Sequence, residues 1–403
     1  MTARAPGGPS RGAAAPTRTT WTRDGVGAIL AVLALGLAFR FIIAQANPGI
    51  GLSFDLGSFR GWADSLASDG LYGFYDRPFF HDYTPGYLYV LYLVGLVGHA
   101  TGGISDLIKI PAILADAAIG WLVWSMAKEL GLTRRAALIG AAIAVANPVS
   151  WFDSVVWGQV DSFGVVFLLL GVRELWRDRP ERAAVWAVIA ALIKPQLGIL
   201  IPIVAIVTIR RALWPEGGFG SRESATTNVA DASDPETGPG LLDRIRAWER
   251  RTDRPIRILT TGLAALAMTI VLCAPFGLSI LSIDDTGVHS GLIQQVFSTA
   301  GGYPYVTVNA YNPWALATLD GTGLAATGQW ICDVTIPTSV PGDRIYCPVA
   351  LQFGPVPSVV VGAALLIAAF TIVCAIVARR PDRLTILVGL TVLAIAFFVL
   401  PTR

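Results

Sequence analysis

Charge is what this chain has least of. Only 14% of its 403 residues are Asp, Glu, Lys or Arg, against about 25% in ordinary soluble domains, while 54% are hydrophobic and the mean hydropathy is +0.59. That scarcity excludes a soluble globular domain and makes the bilayer the solvent. Histidine is rarer still. His81, His99 and His289 are the only three, and no two of them have zinc-ligand spacing, which excludes a paired-histidine zinc site. The His81-Asp82 pair leaves a divalent cation open as the one metal alternative; no cofactor is otherwise implied. No glycine pair, Gly301-Gly302 included, has the context of a nucleotide-binding loop. There is no internal repeat, which weighs against a transporter built from duplicated halves. No small-residue cleavage site follows the first apolar run, so that run reads as an uncleaved anchor.

The few charges are sorted. Of 30 Lys and Arg residues, 23 fall in the N-terminal tail, Lys128 to Arg135, Arg173 to Arg182, Arg210 to Arg257 and Arg379 to Arg383. The other seven share the alternate connections with half of the 28 acids. The positive-inside rule makes the basic set cytoplasmic. Those basic residues thus fit topology, and no nucleic-acid partner is implied. Spans of mostly apolar residues are expected at 26–45, 104–127, 136–151, 156–172, 183–194, 196–213, 256–277, 355–378 and 384–400, with the shorter ones extended or tilted. Residues 86–98 are also apolar, but a full crossing there would put Lys128, Arg134 and Arg135 outside, so this segment reads as re-entrant or interfacial. The expected fold is an all-α polytopic membrane protein with a cytoplasmic N-terminus, in the plasma membrane.

Four parts follow: a disordered tail (1–25), an N-terminal transmembrane module (26–213) with a first outer loop at 46–85, a cytoplasmic linker with an amphipathic helix (214–256), and a C-terminal module (257–403) with an outer loop at 278–354. Loops of that length are usually functional. Cys273 and Cys374 sit in apolar helices and read as packing residues. Cys332 and Cys347 lie 15 positions apart in one outer loop, where oxidation is permitted. A disulfide is expected there, contributing roughly 3 kcal/mol by the chain-entropy model.

Asp55 is a carboxylate just after the first span, flanked by aromatic residues. Taken by itself it fits a solvated loop acid or helix cap as well as a general base. Its company narrows the choice. Downstream come Asp82-Tyr83-Thr84-Pro85-Gly86-Tyr87, then Lys109-Ile110-Pro111 with Asp116, then Asn147-Pro148-Val149-Ser150-Trp151. Val156-Trp157-Gly158-Gln159-Val160-Asp161, Lys194-Pro195-Gln196 and Tyr311-Asn312-Pro313-Trp314 complete the series. In order and in placement this series resembles the GT-C integral-membrane glycosyltransferases, in particular the bacterial mannosyltransferase group related to the second mannosyltransferase of GPI-anchor assembly, over roughly residues 26 to 403.

The resemblance implies a GT-C-like helical bundle with two long extracytoplasmic loops. It also implies a sugar donor on a polyprenyl phosphate used at the extracytoplasmic face, a glycolipid, glycan or protein acceptor, and an acid in the first outer loop, here Asp55, as catalytic base. The leaving phosphate needs cations or donors, for which Lys194 and Arg403 are the candidates; Lys194 also fits a snorkelling residue at a helix end. Lys109 and Asp116, two turns apart on one helix face, match a pattern of the family, with a structural contact between helices as the equal alternative for Asp116. Asp82, Tyr83, Asp153, Gln159, Asp161, Gln196, Tyr305 and Asn312 complete the expected substrate-binding set. Trp151 and Trp157 read as belt anchors rather than sugar platforms. Family members run on past the position of Arg403 with a His-Glu-Arg-type motif, so a shortened chain is expected. A lipid flippase and a non-catalytic lipid-binding subunit are the rival readings.

Overall fold

The computed structural model describes residues 23–214, 255–285, 287–307, 312–337 and 347–402. The N-terminal tail, most of the 214–256 linker with its expected amphipathic helix, Tyr311, Arg344 and Arg403 lie outside the described residues. The chain is an all-α polytopic membrane protein. Among the described residues its longer helices are α1 Arg23–Ala46, α2 Ser53–Asp69, α3 Pro85–Thr101, α4 Ile110–Glu129, α5 Arg134–Ala146, α6 Asp161–Trp176, α7 Pro180–Ile193, α8 Leu200–Leu213, α9 Ile256–Cys273, α10 Gly291–Gly301, α11 Ser358–Arg379 and α12 Arg383–Val399. Sheet among the described residues is limited to two short antiparallel ribbons in the 278–354 loop and its margin, β1 Ser282–Asp284 with β2 Gly287–His289 and β3 Gln352–Phe353 with β4 Val356–Pro357.

Among the described residues six stretches are long and apolar enough to cross a bilayer: Gly25–Ala46, Ser105–Glu129, Arg134–Trp157, Pro195–Leu213, Ile256–Phe276 and Ser358–Arg379. The other three expected crossings correspond to α6, α7 and α12, whose 16, 14 and 17 residues fall short of the roughly 20 a straight span needs. One boundary moves. The span expected to stop at Trp151 continues through Pro148–Trp151 into a π-turn over Phe152–Trp157. Pro148 occupies the first position of a new helical segment, where its missing N–H costs nothing, and the Asn147 side chain accepts from Val149 N at 3.0 Å. The break comes at Gly158, whose φ of +86° favours glycine.

In a bilayer, helices gain little from hiding apolar surface from one another, so close backbone approach and interhelical polar contacts decide packing. Ala183, Ala187 and Ala190 are buried along α7, and a Cβ on Gly171 of α6 would meet Leu200 and the Ala183 carbonyl. The same device joins α1, α4 and α5, where Gly36 and Gly120 both abut Val145. Between α1 and α4 lies a buried ion pair, Arg40 Nε to Asp116 Oδ2 at 2.6 Å. Ser150, Ser154 and Ser162 also donate to the Asp116 carboxylate.

The two ends of the bundle differ in charge as the connections do. At one end Glu129 binds Arg173 and Arg177, Asp178 binds Arg211, Glu181 binds Arg257, and Arg383 donates to the Glu129 carbonyl. At the other lie Asp55, Asp82, Asp106, Lys109, Asp161 and Lys194. Both ends of α3 stay with this second group. Thr84 Oγ1 donates to the Leu192 carbonyl at 2.8 Å just before Lys194, while Gly98 at the far end packs on Ile104 beside Arg60 and Ser105. Tyr89 midway donates to Leu272 at the end of α9. Thus α3, with α2 packed against its other side through the contact of Gly95 with Ala63, lies across one end of the bundle.

Candidate active site

Asp55 sits in the first turn of α2, where the helix dipole favours an anion. Its Oδ2 accepts two hydrogen bonds, from Trp157 Nε1 at 3.2 Å and Gln159 Nε2 at 2.5 Å. Among the described residues Oδ1 has no partner. The local backbone explains why these residues meet. After the left-handed Gly158, both Gly158 N and Gln159 N donate to the Asp153 carbonyl, and Leu52 N donates to the Trp157 carbonyl, which locks the start of α2 against the break between α5 and α6. Gly51 is required at that contact: its φ is +151°, and a Cβ there would meet Leu56 and the Trp157 carbonyl.

Gln159 is the junction of the site. Its Oε1 accepts from Lys194 Nζ at 3.2 Å and from the Tyr83 hydroxyl at 3.3 Å, which fixes the amide so that Nε2 faces Asp55. Lys194 lies in extended backbone ahead of Pro195, a conformation that proline imposes on the residue before it. The residue thereby leaves α7 and points its ammonium at Asp161, bonding both carboxylate oxygens at 2.8 Å. Lys194 also stands 5.9 Å from the centre of the Tyr83 ring.

Asp55, Asp82, Tyr83, Gln159 and Lys194 line one cavity of about 120 Å³, walled by Phe54, Ser58, Phe59, Trp62 and Phe80. Burial, and then the charge of Asp55, push the Asp82 carboxyl up to about 6. Burial and the surrounding carboxylates hold the Tyr83 hydroxyl well above its ordinary value. From the 278–354 loop, α10 closes on this region: Thr299 Oγ1 donates to the Asp82 carbonyl at 2.7 Å and Gln295 Nε2 to the His81 carbonyl at 3.1 Å.

The remaining expected residues divide. Asp161 joins the cluster through Lys194, and Asp153 stands near enough to feel both their charges. Lys109 and Asp116 do not reach the cavity. Lys109 is buried and ties Asp106 to the Ile50 carbonyl ahead of α2; the Asp116 carboxylate is enclosed by Arg40 and its three serines. Gln196 lies half-buried in the turn after Lys194 without lining the cavity. Tyr305 packs on Trp330, and Asn312 caps the turn at Trp314 while donating to the Pro401 carbonyl. Both organise the 278–354 loop, as does the disulfide joining Cys332 to Cys347, whose Cα atoms are 6.0 Å apart. Among the described residues no group of three or more His, Cys, Asp or Glu side chains is arranged to hold a metal ion. The His81 ring is enclosed by Phe74, Tyr75 and Phe79.

Sequence reasoning passed over three contributors. Trp157 read as a belt anchor, yet its indole N–H holds Asp55; its place two residues before Gln159 was the available signal. Tyr303 stands close enough for its hydroxyl, raised to about 12 chiefly by burial, to feel Asp82 and Asp55. Phe80 carried no signal of its own.

Residues 80–215, about a third of the chain, match the model of glycosyltransferase family 87, a family of GT-C type membrane glycosyltransferases. The matched stretch contains Asp82, Tyr83, Asp153, Gln159, Asp161 and Lys194, and Asp55 lies before it. On an all-α polytopic scaffold this similarity supports a membrane glycosyltransferase. No curated protein matches the chain.

Proposed function

We propose that the chain transfers a hexose from a polyprenyl-phosphate carrier to a hydroxyl acceptor at the extracytoplasmic face, with Asp55 as general base. Mannose is the hexose that the resemblance implies. The observation that carries this reading is the one-sided binding of Asp55: Trp157 and Gln159 hold Oδ2, which leaves Oδ1 for the acceptor. In the step, the acceptor O–H gives its proton to Asp55 while its oxygen attacks the anomeric carbon. The bond from that carbon to the phosphate oxygen breaks, and the electron pair leaves with the phosphate. Attack opposite the leaving group inverts the anomeric centre. One carboxylate suffices, whereas a glycosidase needs a flanking pair, because phosphate is a weak base that leaves without prior protonation.

Lys194 is the cation facing Asp55 across the cavity and serves as the phosphate contact. Its three N–H groups are satisfied by Asp161 and Gln159, so the incoming phosphate takes over one Asp161 bond. Charged donors aimed at developing negative charge are the kind of group that lowers such a barrier most. Arg403 is the second candidate for this role.

The test is transfer of radiolabelled mannose from polyprenyl-phosphate mannose to membrane lipid and protein fractions, with and without the chain. Label that requires the chain, and that falls by about 10²- to 10⁴-fold in Asp55→Asn while carrier binding persists, supports the reading. Full transfer by Asp55→Asn would remove Asp55 as the base.

A further inference from the structure

Helix α2 is amphipathic in an unusual sense. Leu56, Phe59, Trp62, Ala63 and Leu66 are buried, on the side that packs against α3. The opposite side borders a groove of about 660 Å³ whose floor and rim are Ser53, Gly57, Ser58, Gly61, Ser65 and Ser68, with Asp64 and Asp69 beside them. A Cβ added to Gly57 or Gly61 would meet nothing within 4 Å. Packing therefore requires neither glycine, although each weakens the helix relative to alanine. What their absence of side chains provides is open backbone, one helical turn apart, along the groove floor.

The far wall is aromatic. Phe54, at the start of α2, and Phe79 and Phe80, in the loop after it, are 61%, 36% and 47% exposed, large values for phenylalanine. The wall is held in place: Phe54 and Phe80 are in ring contact at 5.8 Å, and the Phe80 carbonyl accepts Trp62 Nε1 at 2.7 Å. Phe54, Ser58, Trp62 and Phe80 also line the Asp55 cavity, so the groove and the cavity of the candidate base adjoin along these shared walls.

We infer that this groove on α2 is the acceptor site, and that its ligand is an uncharged glycan chain laid along the helix with its growing end at Asp55. The chemistry selects that class. Flat aromatic faces accept the C–H faces of sugar rings, and serine hydroxyls and carboxylates bond their hydroxyl groups. The lining includes two carboxylates and no cation. Arg77 borders it but spends its guanidinium on the Ser65 hydroxyl and on the Ser65 and Gly70 carbonyls, and His99 meets Asp64 alone, so Asp69 keeps the groove unfavourable to a phosphorylated or uronic acid chain by like-charge repulsion. With 17 residues, α2 is about 25 Å long, room for several rings in a row. This inference rests on the transferase reading for the role of the groove, but not for its occupancy.

The experiment separates the two. The full chain in lipid nanodiscs is titrated with neutral linear tetrasaccharides of mannose, glucose, galactose and arabinose, with each monosaccharide, and with a glucuronate tetrasaccharide. The variant is Gly61→Leu, which fills the groove floor six residues from Asp55 and raises helix propensity, so that loss of binding does not report unfolding; Gly61→Ala is the small-residue control. At least one neutral tetrasaccharide is expected to bind ten or more times more tightly than its monosaccharide, and the glucuronate chain more weakly. Gly61→Leu should weaken the bound one tenfold or more, with Gly61→Ala within threefold of the natural chain. In the transfer assay Gly61→Leu should raise the acceptor KM with kcat retained. If no neutral tetrasaccharide outbinds its monosaccharide, or if Gly61→Leu binds it unchanged, the groove is not an acceptor site and the phenylalanine wall serves the membrane margin. Tetrasaccharide binding abolished by Gly61→Leu without sugar transfer to any acceptor would keep the glycan site and refute the transferase; transfer indifferent to Gly61→Leu would do the reverse.

Discussion

Replacing Gln159 by leucine tests the arrangement around Asp55 more sharply than removing Asp55 itself. The leucine takes away the 2.5 Å donor to Asp55 Oδ2 and leaves the 3.2 Å bond from Trp157. Lys194 loses one of three partners but keeps both oxygens of Asp161, so the cation stays in place. A hydrogen bond to a charged group contributes about 1.5 to 3 kcal/mol. If that bond holds the carboxylate in its reactive orientation, its loss reads out as roughly a 10- to 150-fold fall in kcat. The donor KM should stay within about twofold, because Asp161 still holds Lys194, the phosphate contact, in place. Gln159→Glu adds a second readout. It keeps the side-chain shape but sets carboxylate against carboxylate, so its deficit deepens as pH rises, whereas the leucine deficit does not. The assay is steady-state transfer of labelled hexose at varied donor concentration and pH. Wild-type kcat in Gln159→Leu, or a loss confined to donor KM, would refute the positioning role.

Asp116→Ala strands the buried Arg40 and three serine hydroxyls, and breaking such a pair typically costs about 3 to 5 kcal/mol. Its thermal midpoint in detergent should fall, with most of the loss recovered in the apolar double variant Arg40→Met/Asp116→Leu; full stability with lost transfer would instead return Asp116 to the substrate. Asp82 has a folded-state value of about 6 against an ordinary 3.8, so the folded protein binds the extra proton between those values and loses stability as pH rises through them, by at most about 3 kcal/mol. Asp82→Asn should therefore raise the thermal midpoint at pH 7.5 and leave it nearly unchanged at pH 4; an equal shift at both would refute the burial cost. In a background without native cysteines, Ser68→Cys should react with an impermeant thiol reagent in intact cells and Leu132→Cys should not. The reverse pattern would overturn the orientation.

Much of this protein was legible without coordinates, for a physical reason. Lipid penalises charge wherever it is unpaired, so the spacing of apolar runs and the sorting of Lys and Arg report spans and ends directly. Among the described residues Arg173, Arg177, Arg211, Arg257 and Arg383 do meet at one end, and residues 86–98 form a helix with both ends at the other. Helix length was less legible: α6 and α7 are short because Gly158 and the Lys194-Pro195 break interrupt them, and a break's consequences depend on what it packs against.

The candidate site was legible only as an unordered set. Asp55, Asp82, Tyr83, Gln159, Asp161 and Lys194 stood out because polar groups near apolar spans are costly, and that cost is a property of each residue in its local sequence. Which of them meet is not local. Lys109 and Asp116 carry the same signal as Lys194 and Asp161, yet the fold turns one pair into a clamp on the Ile50 carbonyl and an Arg40 partner, and the other into a cavity-lining lysine and the carboxylate that pairs with it. The sequence determined the class of molecule, its polarity and its list of expensive residues, since these follow from transfer energies summed along the chain. Only the tertiary structure decided that Gly158 would turn Trp157 and Gln159 onto one oxygen of Asp55, because that depends on contacts between residues about a hundred positions apart.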